Sequence, residues 1–184
     1  MKKEFVVGVT GASGVVYARR LLEVLCERAT VHIVISDTAR QIAGIEGVDL
    51  GGFDAVYAEN SNLAADIASG SFRYDGMAIV PCSMKTLAAV SNGLADNLIG
   101  RAADVCLKER RPLLLLLREM PLSRIHLKNM LAADEAGATV MVASPPFYQH
   151  PETIDDLVDM VVARVLDHMG VEHNLGTRWS GYDA

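Results

Sequence analysis

Phe5-Val6-Val7-Gly8-Val9-Thr10-Gly11-Ala12-Ser13-Gly14 is the stretch that decides the fold. A short valine-rich run closed by glycines reads as a buried strand ending in a tight turn. Val15 to Arg28 follows, with Leu21, Leu22, Val24 and Leu25 toward one side, and reads as a helix. Val31-His32-Ile33-Val34-Ile35 is then a second buried strand, with Ser36 and Asp37 at its end. Strand, turn, helix, strand is the opening of a βαβ crossover.

The alternation continues outward from there. Gly76-Met77-Ala78-Ile79-Val80 predicts a third strand, closed by Pro81-Cys82-Ser83, with a helix from Lys85. Ala95 to Arg110 predicts another helix, and Leu113 to Leu117 a fourth strand ending at Arg118-Glu119. Arg124 to Glu135 reads as a helix stopped by Gly137. Thr139 to Ala143 reads as a fifth strand, ending at Ser144-Pro145-Pro146-Phe147-Tyr148. The last helix has Thr153 as its cap and Asp156 as a capping-box acid, with Ile154, Leu157, Val158, Val161, Val162, Val165 and Leu166 at helical spacing. Residues 38–72 carry a weaker pattern. Ala39 to Ala43 is helical, Gly44, Gly47, Gly51 and Gly52 break it, and Asn62 to Ala68 predicts a short helix. A tail begins at about residue 170. Continuous apolar strands between helices predict an α/β chain with a three-layer Rossmann/flavodoxin-like fold and a mostly parallel sheet.

Composition agrees. The 184 residues fit one domain, expected to span 1–184. They are 51% hydrophobic but only 5% aromatic, so the core must be aliphatic. A net charge of −6 opposes nucleic acid and anionic membrane, and neither is expected as a partner. Cys26, Cys82 and Cys106 are widely spaced and read as buried free thiols of a reducing compartment. No His, Cys and carboxylate cluster has metal-ligand spacing, so no metal is expected. The N-terminus lacks the apolar core of a signal peptide and no run is long enough to span a bilayer, so a cytoplasmic protein is expected.

Ligands of parallel sheets bind outside the carboxyl ends of the strands. That rule selects Thr10–Gly14, Ser36-Asp37, Pro81–Thr86, Arg118-Glu119 and Pro145–Tyr148. In Gly11-Ala12-Ser13-Gly14, glycines allow close approach of a ligand, and free N–H groups at the helix start suit a phosphate. The alternative is a plain turn that needs glycine for geometry alone. Gly8, Gly11 and Gly14 lack the GxGxxG spacing, which weakens a dinucleotide reading. Asp37 reads as a helix-start acid rather than a ribose ligand. Ser83, Met84, Lys85 and Thr86 offer donors for a ribityl chain, a phosphate or a flavin edge, or simply cap a helix. Arg118-Glu119 pairs a fixed cation with a candidate acid/base. Tyr148 orients an anion or packs at the rim. Lys108 lies in the one basic cluster, Lys108-Glu109-Arg110-Arg111, and its bland reading is a solvated helix end. Arg164 is the flank of an apolar stripe, a place for a snorkelling arginine. It lies about 16 Å along the helix from Thr153, away from its own strand ends. If Lys108 or Arg164 meets the ligand, a neighbouring subunit supplies it, which points to a homo-oligomer.

Thr10–Gly14, Pro81–Thr86, Arg101-Ala102-Ala103-Asp104-Val105, Leu107–Leu113, Arg118-Glu119-Met120-Pro121-Leu122 and Phe147-Tyr148, in this order, resemble the flavin prenyltransferases of the UbiX type. The resemblance implies FMN at the strand ends and homo-oligomers, often dodecamers, with sites at subunit interfaces. It implies that a dimethylallyl unit is joined from dimethylallyl monophosphate to N5 and C6 of reduced FMN. The product, prenylated FMN, serves UbiD-type decarboxylases. By the same resemblance, Gly11, Ala12, Ser13, Ser36, Ser83, Met84, Lys85, Thr86 and Arg118 hold the flavin. Arg101, Lys108, Tyr148 and Arg164 grip the donor phosphate. Ser13, Glu119 and Lys108 carry the chemistry: Lys108 helps phosphate leave, Glu119 moves a proton, and Ser13 relays one. Glu46 and Trp179 match residues near the family's pocket. Two rival readings are an FMN-dependent cysteine decarboxylase and a non-catalytic flavin carrier. The first expects an Asn in the Pro81–Thr86 segment and a histidine on the first helix, and both are missing here. A nicotinamide reductase is more distant.

Overall fold

A computed structural model describes residues 2–176, 178 and 181. The chain runs β1 (Glu4–Val9), α1 (Val15–Arg28), β2 (Thr30–Ile35), α2 (Asp37–Glu46), β3 (Val56–Glu59), a 3₁₀ turn (Asp66–Ala68), β4 (Gly76–Cys82), α3 (Met84–Ser91), α4 (Leu98–Lys108), β5 (Leu113–Leu117), α5 (Arg124–Glu135), β6 (Thr139–Val142) and α6 (Ile154–His168). The six strands form one sheet in the order β3-β2-β1-β4-β5-β6, and each paired neighbour is parallel. This is the doubly wound Rossmann order.

Alternation along the strands divides the core. Phe5, Val7 and Val9, with Leu114 and Leu116, pack against α1, α2 and α6. Val6, Met77 and Ile79, with Leu113, Leu115 and Leu117, pack against α3, α4 and α5 on the other face. Both faces of β1, β4 and β5 are therefore dry, which is why these strands read as unbroken apolar runs. Helix stops and caps are local. Gly137 takes a φ of 105° after α5, and Thr153 with Asp156 forms a complete capping box on α6.

The sequence reading needs several corrections. Among the described residues there are six strands rather than five. The missing one, β3, is an edge strand whose Val56 and Tyr57 are exposed, so it presents no apolar run. Gly44 does not break α2 but lies inside it, and the helix stops at Gly47 in the left-handed region. Of Asn62–Ala68, only Asp66–Ala68 is helical, as a single 3₁₀ turn. Pro81 and Cys82 belong to β4 rather than closing it. The helix expected over Ala95–Arg110 starts later, at Leu98, where Asn97 caps it by accepting from the Gly100 N–H. The cysteines are free, but Cys26 is only half-buried. Among the described residues no helix is long and apolar enough to cross a membrane.

Candidate functional site

The chain leaves β1 toward β2 and β3 on one side, then crosses to β4 on the other. The carboxyl ends of β1 and β4 therefore part at a switch point, where a crevice forms. A cavity of about 590 Å³ lies there, within the size range of cofactor pockets. Thr10 is the rivet between its two walls. Its buried hydroxyl donates to the Pro81 carbonyl at 2.9 Å and accepts from the Ser83 N–H at 2.8 Å.

The turn after Thr10 forms the cavity floor with Gly11, Ala12 and Ser13. A Cβ on Gly11 would lie 2.7 Å from Thr38 Cβ, so the turn and α2 meet there only because the residue is glycine. Gly14, at φ 97°, starts α1 without any side-chain cap of its own. The cap comes from a distance. Glu46, the last residue of α2, accepts from the Gly14 N–H through Oε1 and from the Val15 N–H through Oε2, both at 2.9 Å. The expected free N–H groups at this helix start are therefore taken by a carboxylate of the chain itself. Burial alone would raise the Glu46 carboxyl. The Ser13 hydroxyl, the two N–H donors and the nearby Arg118 charge outweigh it and hold the group below its usual range.

The starts of α2, α3 and α4 also face the cavity, the last through Asn97 and Ile99. Ser36 caps α2 by accepting from the Ala39 N–H at 3.2 Å, and Thr38 and Ile42 of that helix line the wall. Ser83 caps α3, accepting from the Thr86 N–H at 3.3 Å and donating to the Thr86 hydroxyl at 3.1 Å. The segment Ser83–Thr86 is thus a helix cap and first turn, and all four of its residues line the cavity. Asp37 lies in the first turn of α2, whereas α3 has no acid in its first turn and carries Lys85. The positive end of α3 is therefore the better seat for an anion.

The end of β5 supplies the charged rim. Arg118 Nε donates to the Ser13 carbonyl at 3.1 Å, which binds β5 to the turn. Glu119 is exposed and accepts from the Met120 N–H at 3.0 Å. Asn60, Asn97 and Ile99 complete the lining. Asn60 was missed because β3 was missed: it directly follows that strand, where the strand-end rule would have selected it. Its side chain accepts from the Ile99 N–H at 3.1 Å and so places α4 against the cavity.

The remaining predicted residues are elsewhere on the chain. Arg101 points to the 3₁₀ turn, where its Nε donates to the Ala68 carbonyl at 3.0 Å, and it pairs with Asp104 at 2.6 Å. Lys108 ends α4, with Nζ 3.4 Å from Glu109. Tyr148 and Arg164 share a second cavity, of about 340 Å³, with Asp167, His173 and Arg178. Arg164 pairs there with Asp167 at 2.8 Å. None of these four lines the cavity that holds Ser13 and Glu119. Trp179 lies outside the described residues.

The Flavoprotein family model matches residues 1–166. The chain is 46% identical over 180 residues to the flavin prenyltransferase UbiX of Methanocaldococcus jannaschii, covering 96% of this chain and 98% of that one. It superposes on the crystal structure of AnUbiX (PadA1) in complex with FMN and dimethylallyl pyrophosphate with a TM-score of 0.95, at 41% identity over 100% of both chains. A dodecameric FMN-dependent UbiX-like decarboxylase from Escherichia coli O157:H7 gives a TM-score of 0.92 at 47% identity, covering 97% of this chain and 100% of that one.

Proposed function

We propose that the chain, which belongs to the UbiX flavin prenyltransferases of the Flavoprotein family, transfers a dimethylallyl group from dimethylallyl monophosphate to N5 and C6 of reduced FMN, giving prenylated FMN. The observation that carries this reading is the cavity at the β1–β4 switch point, bounded by the Ser13 turn and Arg118-Glu119. It occurs in a chain superposable over its whole length on a relative in complex with FMN and dimethylallyl pyrophosphate.

The residues present fit FMN. Ser83, Thr86 and Lys85 at the start of α3 would hold its phosphate, with no acid in that turn to oppose it. Gly11, Ala12, Ser13, Ser36, Met84 and Arg118 would flank the rest of the molecule, the glycine allowing the backbone to approach. Reduced FMN, when bound, supplies the electron-rich N5 and C6 that accept the five-carbon unit.

The chain's own groups then have separable tasks. Arg118 is anchored through Nε, which leaves its terminal nitrogens as donors toward a phosphate at the rim. An allylic carbon–oxygen bond breaks more readily where cations meet the charge that develops on the leaving phosphate. Lys108, Arg101, Tyr148 and Arg164 would supply that grip from neighbouring subunits of a homo-oligomer, a dodecamer as in the Escherichia coli relative. Glu119 takes up the proton lost when the second bond forms. The Ser13 hydroxyl is near enough to the Glu46 carboxylate to help hold it ionised, so a proton leaving the flavin side has a path through it. Ser13 and Glu46 together make a short relay away from the cavity. The wider setting is a single-domain cytoplasmic enzyme whose product passes to a UbiD-type decarboxylase.

The test is to incubate the protein with reduced FMN and dimethylallyl monophosphate without oxygen and to measure the flavin mass. The flavin is expected to gain one prenyl unit. An unchanged mass would refute the assignment. A cysteine decarboxylase is disfavoured because α1 carries no histidine and Pro81–Thr86 no asparagine.

A further inference from the structure

Arg111 has no part in the site as described, yet it makes more contacts than an ordinary surface arginine. It follows α4, and its guanidinium reaches back to the segment 68–72. One terminal nitrogen donates to the Phe72 carbonyl at 2.8 Å and the other to the Gly70 carbonyl at 2.7 Å. Its Cζ lies 4.5 Å from the centroid of the Tyr74 ring. Tyr74 is buried, and its hydroxyl donates to the Ala102 carbonyl of α4 at 3.1 Å. Arg111 thus clamps the segment from above while Tyr74 fixes the clamp to α4.

The clamped segment touches both cations of α4 that the proposed donor grip uses. The Ala68 carbonyl holds Arg101 Nε at 3.0 Å. Gly70 lies against Lys108 and Glu109: a Cβ there would stand 3.2 Å from Lys108 Nζ and overlap the Glu109 carboxylate. Arg101 and Lys108 are two helical turns apart and share one face of α4. The carbonyls of residues 68, 70 and 72 all accept from guanidinium groups, the first from Arg101 and the other two from Arg111.

We infer that Arg111 is a positioning residue for the phosphate of the prenyl donor, acting through the segment 68–72 on Arg101 and Lys108. The inference rests on the prenyltransferase reading for its substrate. Two carbonyls two residues apart suit a planar fork, so lysine can replace only part of the clamp. Without the clamp, the Gly70 and Phe72 carbonyls lose their partners, and the floor beneath Arg101 and Lys108 moves. The flavin cavity is lined by other residues and should be indifferent.

The experiment compares wild type, Arg111→Lys and Arg111→Gln, each shown to be folded by its thermal melt. Steady-state prenylation is measured alongside FMN affinity and the binding of inorganic phosphate to the FMN-loaded protein by titration calorimetry. Arg111→Gln is expected to raise KM for dimethylallyl monophosphate about tenfold or more and to weaken phosphate binding in parallel. kcat is expected to fall as well, because Arg101 and Lys108 also meet the charge that develops on the leaving phosphate, while FMN affinity should be unchanged. Arg111→Lys should fall between. An unchanged KM and phosphate affinity in folded Arg111→Gln overturns the inference, as does a uniform loss of kcat and FMN affinity. If Arg111→Gln fails to fold, Gly70→Ala replaces it, pressing on Lys108 and Glu109 from the segment side with the same expected KM rise. Wild type that binds phosphate but never prenylates FMN refutes the function instead, and the phosphate titration of the variants then decides on Arg111 alone.

Discussion

The crevice between β1 and β4 and the scattered cations of α4 and α6 differ in how they are built. The crevice is assembled within one chain by short range-setting bonds. Thr10 joins two strand ends, Glu46 caps α1, and Arg118 is fixed on the Ser13 carbonyl. Arg101, Lys108 and Arg164 instead pair with acids on their own helices or beside them, at Asp104, Glu109 and Asp167. Such partly exposed pairs at the surface contribute little. On the proposed function this contrast is a division of labour: the crevice of one chain would hold the flavin, and the donor phosphate would need cations that lie outside that crevice.

Breaking the chemical end of the crevice should have the largest effect. Glu119→Gln is expected to lower prenylation turnover by about 10²–10⁴-fold while FMN affinity, followed by flavin fluorescence, stays near wild type. Retained turnover would remove Glu119 from proton transfer. A flavin carrier without chemistry would show no turnover in either protein.

Deforming the floor comes next. Gly11→Ala forces a methyl group into Thr38 and is expected to weaken FMN binding by about tenfold or more, at a stability cost of about 1–3 kcal/mol. A titration showing wild-type FMN affinity would mean that the turn yields without disturbing the cavity.

The smallest effect sharpens the role of Glu46 as a long-range cap. Glu46→Ala should cost about 1 kcal/mol in denaturant unfolding at neutral pH. The Glu46 carboxyl is depressed in the folded state. Its contribution is therefore fully present above the unfolded value of about 4.3 and is lost as pH falls through the lower folded value. The gap between wild type and variant should narrow as the medium is acidified below that point. A gap that widens with acid would contradict the assigned direction.

The legible parts of the molecule are those whose cause is local. β1, the turn and α1 were readable because a doubly buried strand must be apolar and a tight βα turn must contain glycine. Leu113–Leu117 announced β5, and so placed Arg118-Glu119 at a strand end. Thr153 and Asp156 announced α6, because a capping box lies within one helical turn. What stayed hidden depends on partners far away in sequence. The edge strand β3 needs only β2 beside it and leaves Val56 and Tyr57 exposed, so nothing in its composition marks it. Asn60 is hidden with it, whereas Thr38 lies one residue past the selected Ser36-Asp37 and Asn97 caps a helix that reads as starting at Ala95. The resemblance pointed to Glu46 near the pocket, but its bond to the start of α1 spans two elements and leaves no local signal. For the same reason the turn reads as offering free N–H groups, whereas those of Gly14 and Val15 are engaged by Glu46.

The division between flavin crevice and donor grip is tested most directly by mixing subunits. Glu119→Gln and Arg164→Ala chains, each expected to be nearly inactive alone, are co-expressed, and mixed assemblies are verified by native mass spectrometry. Prenylated flavin is then measured by mass. If sites are completed across subunits, mixed assemblies contain some sites with both Glu119 and Arg164 intact, and product formation returns to a substantial fraction of wild type. Verified mixtures that form no more product than the two variants assayed separately would contradict a site shared between chains.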